Sequence, residues 1–150
     1  MAVFSILLAA AAQATSQCAG DAVTRPLIFI IQADNDRDLA SVMNFFCSSD
    51  PVFLSPTKPP LRGRKAIRDS YVAMYGEFDP HLTISFDSVS LGNGAAKISG
   101  KTGGWLDSRK GGGRQPVNDH FEALMLCVGT SWKVATLRWW PVEAGSNGAQ

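Results

Sequence analysis

The hydrophobic pattern of this chain changes period once, near Pro80, and that change limits the folds that it can adopt. Before this point apolar residues recur every three or four positions, which is typical of amphipathic helices. Beyond it they alternate with polar residues, as in Leu82, Ile84 and Phe86, which is typical of strands with one buried face. Helices followed by an unbroken series of strands predict the α+β class, with the helices packed over a mainly antiparallel sheet.

Three helices are expected in the first half. The first begins near Thr24 and ends at a polar break over 33–36, and Asp36 is placed to cap the second. The third opens with the sequence 62–67. Their core-facing stripes are Val23, Leu27, Ile30 and Ile31, then Leu39, Val42, Met43 and Phe46, then Ile67, Tyr71, Met74 and Tyr75.

The strands form one domain, expected over 21–142. A short strand at 52–54 precedes the third helix, and a four-stranded meander follows Pro80. Glycine-containing turns separate its strands at 92–94, 107–114 and 129–131. The segment 143–150 is rich in Gly, Asn and Ser, which predicts a disordered tail.

The N-terminal segment indicates export. Residues 1–20 carry no charged side chain, and Val3–Ala12 is an apolar run of signal-peptide length, too short to span a bilayer. The sequence Ala12-Gln13-Ala14 fits a signal peptidase, so cleavage after Ala14 and a periplasmic or secreted domain are expected. The alternative is an apolar helix that packs on the domain.

Charge and cysteine content exclude several classes of function. Fourteen basic residues balance thirteen acidic ones, which gives no reason to expect binding to nucleic acid or, after cleavage, to a membrane. The basic cluster at 62–68 is interpreted as a solvated helix face. Of the three cysteines, Cys47 and Cys127 are interpreted as buried small apolar residues, and Cys18 lacks the context of a lipid attachment site. No spacing indicates a metal site, and no motif indicates a cofactor.

Four segments, in order, carry a family resemblance. They are Ala33-Asp34-Asn35-Asp36-Arg37-Asp38-Leu39, Asp50-Pro51-Val52-Phe53-Leu54-Ser55-Pro56, Leu61-Arg62-Gly63-Arg64-Lys65-Ala66-Ile67, and Ser131-Trp132-Lys133-Val134 followed by Trp139. Together they resemble the SnoaL-like branch of the nuclear transport factor 2-like superfamily. The resemblance implies a strongly curved sheet that forms a cone around one pocket, often in a dimer formed through the outer sheet face. It does not imply one chemistry, because the superfamily includes isomerases, dehydratases and cyclases.

The acids of known enzymes with this fold are missing at the matching positions. The isomerase base falls on Ser55 and its neutral hydrogen-bond donor near Ala123. The first helix, in which dehydratases carry an acid, has none before the polar break that contains Asp34. A proton relay is therefore sought on the strands, where His120 shares a face with Glu122 and Asp119 lies on the opposite face. The alternative is that His120 and Glu122 are a polar pair on the outer or dimer-forming face, because Phe121, Ala123 and Met125 have the character of the inner face.

The last strand supplies the binding candidates. Strict alternation places Trp132, Val134, Thr136, Arg138 and Trp140 on one face, and the resemblance assigns Trp140 to the pocket. Thr136 and Arg138 then lie beside it, with Met125 on the preceding strand and Tyr71 on the third helix. An arginine among tryptophans suits an anionic or aromatic ligand, although Arg138 pairing with an acid such as Asp119 is an equal alternative.

Two functions follow from these candidates. The first is a small-molecule-binding domain, expected as a homodimer without a cofactor, whose ligand is apolar or aromatic with a possible anionic group. The second is a cofactor-free lyase, dehydratase, isomerase or cyclase that uses His120 or Asp119 as the base and Arg138 as an electrostatic clamp. The two differ in one observable feature, because an enzyme needs a titratable group inside the pocket.

Overall fold

The computed structural model describes residues 17–143, so the predicted leader and all but the first residue of the predicted tail lie outside the described residues. Helices come first and strands follow. The elements are a 3-10 turn at Gly20–Ala22, α1 at Arg25–Asn35, α2 at Leu39–Asn44, β1 at Val52–Leu54, β2 at Leu61–Arg62, α3 at Arg64–Glu77, β3 at Phe78–Leu91, β4 at Ala95–Ser108, β5 at Arg114–Val128 and β6 at Ser131–Pro141. Within 17–143 no helix has the length and apolar character needed to cross a bilayer.

One sheet contains all six strands in the order β2-β1-β6-β5-β4-β3. Neighbouring strands are antiparallel except for β1 and β6, which run parallel. The α+β prediction is therefore confirmed, and β2 is an additional short edge strand that the sequence pattern did not indicate.

Glycines in β4 let the sheet curve. A Cβ atom at Gly104, whose φ is +102°, would lie 1.9 Å from the His81 carbonyl oxygen. A Cβ atom at Gly100 would lie 2.7 Å from the Phe121 ring. No other residue fits these positions without displacing the backbone or the core. A register shift between Phe86 and Ser88 bends the same pair of strands further.

A bulge in β6 exchanges the two faces of that strand. Leu124 pairs with Thr136, whereas Met125 pairs with Val134, so Ala135 is an extra residue without a partner. An extra residue reverses the alternation beyond it. The face that carries Trp132 and Val134 therefore continues as Leu137 and Trp139, and the predicted grouping of Trp132 and Val134 with Thr136, Arg138 and Trp140 is wrong.

The first two helices also differ from the prediction at their junction. Helix α1 continues through Asn35, so the predicted polar break begins too early. Asp38, rather than Asp36, caps α2, because its carboxylate accepts a hydrogen bond of 3.1 Å from the Ser41 backbone N–H. As a result Asp34 lies within a helix and is buried.

A disulfide joins the start of the described chain to the end of β5. Cys18 and Cys127 are bonded, with 5.8 Å between their Cα atoms. Cys127 is therefore a half-buried disulfide partner, and the prediction that it is a buried small apolar residue is wrong. The tight turn after β5 brings Cys127 beside Trp132, whose indole N–H donates a 2.8 Å hydrogen bond to the Ala19 carbonyl and helps to hold this segment in place. Cys47 is free and buried, as predicted.

Candidate functional site

The side of the sheet that faces α1 and α3, here called the inner face, carries the core. Cross-strand partners define it, since paired residues share a face. The core contains the following side chains of the sheet: Ala96, Ile98, Phe121, Ala123, Met125, Trp132 and Val134. Helices α1 and α3 add Leu27, Ile30, Ile67 and Tyr71.

Next to this core, large apolar side chains of the inner face remain half-buried. Phe86, Gly100, Phe121 and Trp139 are successive cross-strand partners, so they form one row across four strands. The Phe86 and Phe121 rings meet edge to face at 6.1 Å. The half-buried members of this surface, here called the open zone, are Phe53, Ile84, Phe86, Leu137 and Trp139.

Asp119 belongs to the neighbouring row of cross-strand partners, two positions before Phe121 in β5. Its partners in that row are Thr102 on β4 and Pro141 on β6. It shares the face of Phe121 because the two residues are separated by one position in a strand. Its side chain is half-buried, and burial raises the pKa of its carboxyl, while the neighbouring His120 acts in the opposite direction. The open zone therefore has one carboxyl at its border.

A second carboxyl lies inside the core. Asp34, in the last turn of α1, is only 4% exposed and accepts a short hydrogen bond from the Tyr75 hydroxyl of α3. Tyr71, one helical turn earlier on α3, lies 5.9 Å from Tyr75 between ring centroids and contacts Phe46 and Phe53 at 6.4 and 6.3 Å. The Asp34 carboxyl therefore lies beside a cluster of aromatic rings.

Burial dominates the ionisation of this polar core. It raises the pKa of Asp34 to about 7, although the hydrogen bond from Tyr75 opposes the shift. Burial and the nearby Asp34 carboxylate also raise the pKa of Tyr71 and of Tyr75 above the ordinary range, so both hydroxyls stay protonated. Near neutral pH the group therefore combines a carboxyl close to half ionisation with a hydroxyl donor.

Hydrogen bonds from the segment after Asp34 help to hold this arrangement in place. Asn35 bonds both backbone groups of Leu82, accepting from its N–H at 2.6 Å and donating to its carbonyl at 2.9 Å. Arg37 donates to the Tyr75 carbonyl at 3.2 Å and pairs with Asp79 at 3.1 Å. The end of α1 is thus fastened to β3 and to the end of α3, which keeps Asp34 against Tyr75.

The predicted site residues are divided between the two faces. Tyr71 and Met125 are buried in the core, and their contact with a ligand stays a prediction. Thr136, Arg138 and Trp140 pair with Leu124, Glu122 and His120, so these six residues lie on the outer face, a consequence of the bulge at Ala135.

Arg138 and His120 form a separate aromatic cluster on that outer face. The Arg138 guanidinium lies 4.9 Å from the Trp140 ring centroid, and the His120 ring lies 5.6 Å from it. Arg138 pairs with Glu122 on the outer face, whereas Asp119 lies on the inner face, so the strand pairing separates Arg138 from that acid. His120 follows Asp119 directly in β5, and its side chain lies on the opposite face.

Sequence reasoning assigned Asp34 to a loop and so missed it. The signal was present, because Asp34 lies four positions after Ile30 and seven after Leu27, on the buried stripe of α1. The sequence Asp34-Asn35-Asp36 is typical of turns, and it led to the loop prediction in spite of this spacing. Among the described residues no three His, Cys, Asp or Glu side chains gather as a metal site requires.

Comparison with solved structures places this architecture among known folds. A ketosteroid isomerase-like protein from Erwinia carotovora atroseptica superimposes with a TM-score of 0.75 at 17% identity, over 82% of this chain and 95% of its own. The chain has the nuclear transport factor 2-like fold. A superfamily protein from Salmonella enterica serovar Typhimurium gives a TM-score of 0.72 at 16% identity, over 87% and 96% of the two chains.

A third protein with the nuclear transport factor 2-like fold, of unknown function and from Shewanella oneidensis, matches with a TM-score of 0.67 at 18% identity over 80% of this chain and 97% of its own. No family model and no curated protein matches the sequence. The likeness therefore establishes the fold, and the function has to be argued from the residues of this chain.

Proposed function

We propose that this chain is an exported domain that binds a small apolar or aromatic molecule on the inner face of its sheet. The observation that carries the proposal is the open zone, in which five large apolar side chains stay half-buried beside a closed core. Small-molecule sites are mostly apolar surfaces with a few polar groups that fix orientation. Asp119 supplies such a group, and a carboxyl favours a ligand with a hydroxyl or amino donor. The anionic group expected from Arg138 is not included, because Arg138 lies on the outer face.

Export is supported by two independent features. The apolar run Val3–Ala12 has the character of a signal peptide, and the Cys18–Cys127 disulfide is of a kind that persists in oxidising compartments. Mass spectrometry of the protein from its own host should find a chain that begins at or near Thr15. A chain that retains Met1 or Ala2, or a reduced Cys18 in the purified protein, would contradict export.

Ligand binding can be tested with an uncharged aromatic alcohol, 2-naphthalenemethanol. Titration should shift the indole N–H signal of Trp139 in the NMR spectrum, a signal that the variant Trp139→Phe identifies. The variant Phe86→Ala should weaken the affinity about tenfold, because an aromatic contact of the open zone is lost. Trp105→Phe, on the outer face of β4, is the matched control and should leave the affinity unchanged. A titration that leaves the Trp139 signal in place to millimolar concentration would contradict the proposal.

The polar core favours a second candidate, a cofactor-free enzyme that uses Asp34. A carboxyl with a pKa of about 7 can accept or donate a proton near neutral pH, and the Tyr75 hydroxyl can donate a hydrogen bond to a developing oxyanion. Asp34 is 4% exposed, so a substrate has to displace Tyr71 or Tyr75 to reach it. This requirement is the reason that binding is proposed first.

The enzymatic candidate has a direct assay. An aromatic ketone with acidic α-hydrogens, 2-tetralone, should exchange them with deuterated water faster in the presence of the protein, with a rate that rises with pH through about 7 as Asp34 ionises. The variant Asp34→Asn should abolish the acceleration, whereas Asp119→Asn should not. Equal exchange with both variants would remove Asp34 as a base.

A further inference from the structure

A groove separate from the open zone lies at the start of β6, whereas the open zone lies on the second half of that strand. It forms where the 3-10 turn, the first turns of α1 and the start of β6 meet, and its volume is about 240 Å³. Aromatic residues from three elements line it, namely Phe29 of α1, Phe45 after α2 and Trp132 of β6. Its size suits a molecule of one or two aromatic rings.

The aromatic lining is held in place without a ligand. Phe29 and Phe45 stack with 5.6 Å between ring centroids, although Phe29 is 46% exposed. Trp132 is 6% exposed, and its indole N–H is satisfied by the Ala19 carbonyl. The Cys18 disulfide fixes the segment that carries Ala19 to the strand beside Trp132. A groove whose walls are already joined loses little conformational entropy when it is filled.

The charged side chains of the groove all have one sign. Arg25 and Lys133 line it, and within 17–143 no Asp or Glu does. The Lys133 ammonium lies 6.0 Å from the Phe45 ring centroid and donates to the Asn44 carbonyl, so its position is defined. Arg25 is exposed at the first position of α1. A cation beside an exposed aromatic ring is complementary to an aromatic anion.

We infer that this groove is a second binding site, for a small aromatic acid such as a carboxylate or sulfonate. The ring stacks on Phe29 and covers Trp132, and the acid group pairs with Arg25 and Lys133. The inference does not depend on the proposed function, because the two sites have different residues, opposite polarity and separate locations.

The test uses 2-naphthalenesulfonate and the purified chain with its disulfide intact. The indole N–H signal of Trp132, identified by the variant Trp132→Phe, should shift with saturation, and the signal of Trp139 should not. The uncharged 2-naphthalenemethanol should bind the groove at least about fivefold more weakly, because it lacks the charge.

Arg25→Gln should weaken sulfonate binding by about the same factor, and Phe29→Ala should weaken binding of both compounds. Arg68→Gln, an exposed arginine on α3, is the matched control and should have no effect.

Three outcomes would overturn the inference. They are an unshifted Trp132 signal at millimolar sulfonate, equal affinity for the charged and uncharged compounds, and equal affinity in the Arg25→Gln and Arg68→Gln variants. A result in which only Trp139 responds would reject the groove and leave the open zone as the binding site. If 2-naphthalenemethanol leaves the Trp139 signal in place while the sulfonate shifts Trp132, the proposed function is rejected and the groove is kept.

Discussion

Replacing the buried carboxyl of Asp34 should make the protein more stable at neutral and alkaline pH. An Asn at this position keeps the shape of the side chain, and its amide oxygen can still accept the hydrogen bond from the Tyr75 hydroxyl. The amide carries no charge at any pH, so the cost of an ionised group that is 4% exposed disappears. A core position that costs stability is typical of a functional group rather than a structural one.

The magnitude follows from the pKa of Asp34, which burial raises from 3.8 to about 7. Between these values the folded state holds a proton that the unfolded chain has released, so the free energy of unfolding falls as the pH rises through this window. A shift of about three pH units corresponds to about 4 kcal/mol at pH 8, and to almost nothing below pH 4. Asp34→Asn should therefore gain up to about 4 kcal/mol over the wild type at pH 8 and little at pH 4.

Urea denaturation at pH 4, 6 and 8 measures this difference directly. Asp36→Asn is the matched control, because Asp36 is an exposed residue of the same turn and the substitution is chemically identical. Tyr75→Phe should lower stability at pH 8 more than at pH 4, because the ionised carboxylate loses its donor. If Asp34→Asn unfolds at the same or a lower urea concentration than the wild type at pH 8, the burial argument is refuted.

Two further predictions concern the covalent and quaternary structure. Because Cys18 and Cys127 are 109 positions apart, replacing both by Ser should lower the free energy of unfolding by about 3–5 kcal/mol, measured in urea, and an unchanged midpoint would contradict this. The exposed Leu124, Leu126 and Val128 of β5 make the outer face the expected dimer contact, so Leu124→Lys should convert a dimer into a monomer by light scattering, whereas a monomeric wild type would remove the case.

The sequence predicted the helices, the four long strands and the α+β class because periodicity is a local property. It could not predict that β6 contains a bulge, since strict alternation gives no sign of an extra residue at Ala135. That single residue moved Arg138 and Trp140 to the outer face and brought Leu137 and Trp139 to the inner one.

The disulfide and the buried acid show a different limit. Which of three cysteines pair depends on distances across the tertiary structure, and spacing in the chain does not give them. Asp34 was locally ambiguous, because Asp favours turns and caps while its position matched the apolar stripe of α1. Only the tertiary contact between Asp34 of α1 and Tyr75 of α3 decides between a turn and a buried position in the helix.

The Cys18–Cys127 bond closes a covalent ring around most of the fold. Two exposed segments lie within that ring, the proline-containing loop at 56–60 and the glycine-rich turn at 109–113, and such segments are preferred points of cleavage by proteases. A cut at either one would open the ring without separating the pieces, which the sulfur bridge would keep attached. A nicked molecule of this kind would remain a single covalent unit until the disulfide is reduced.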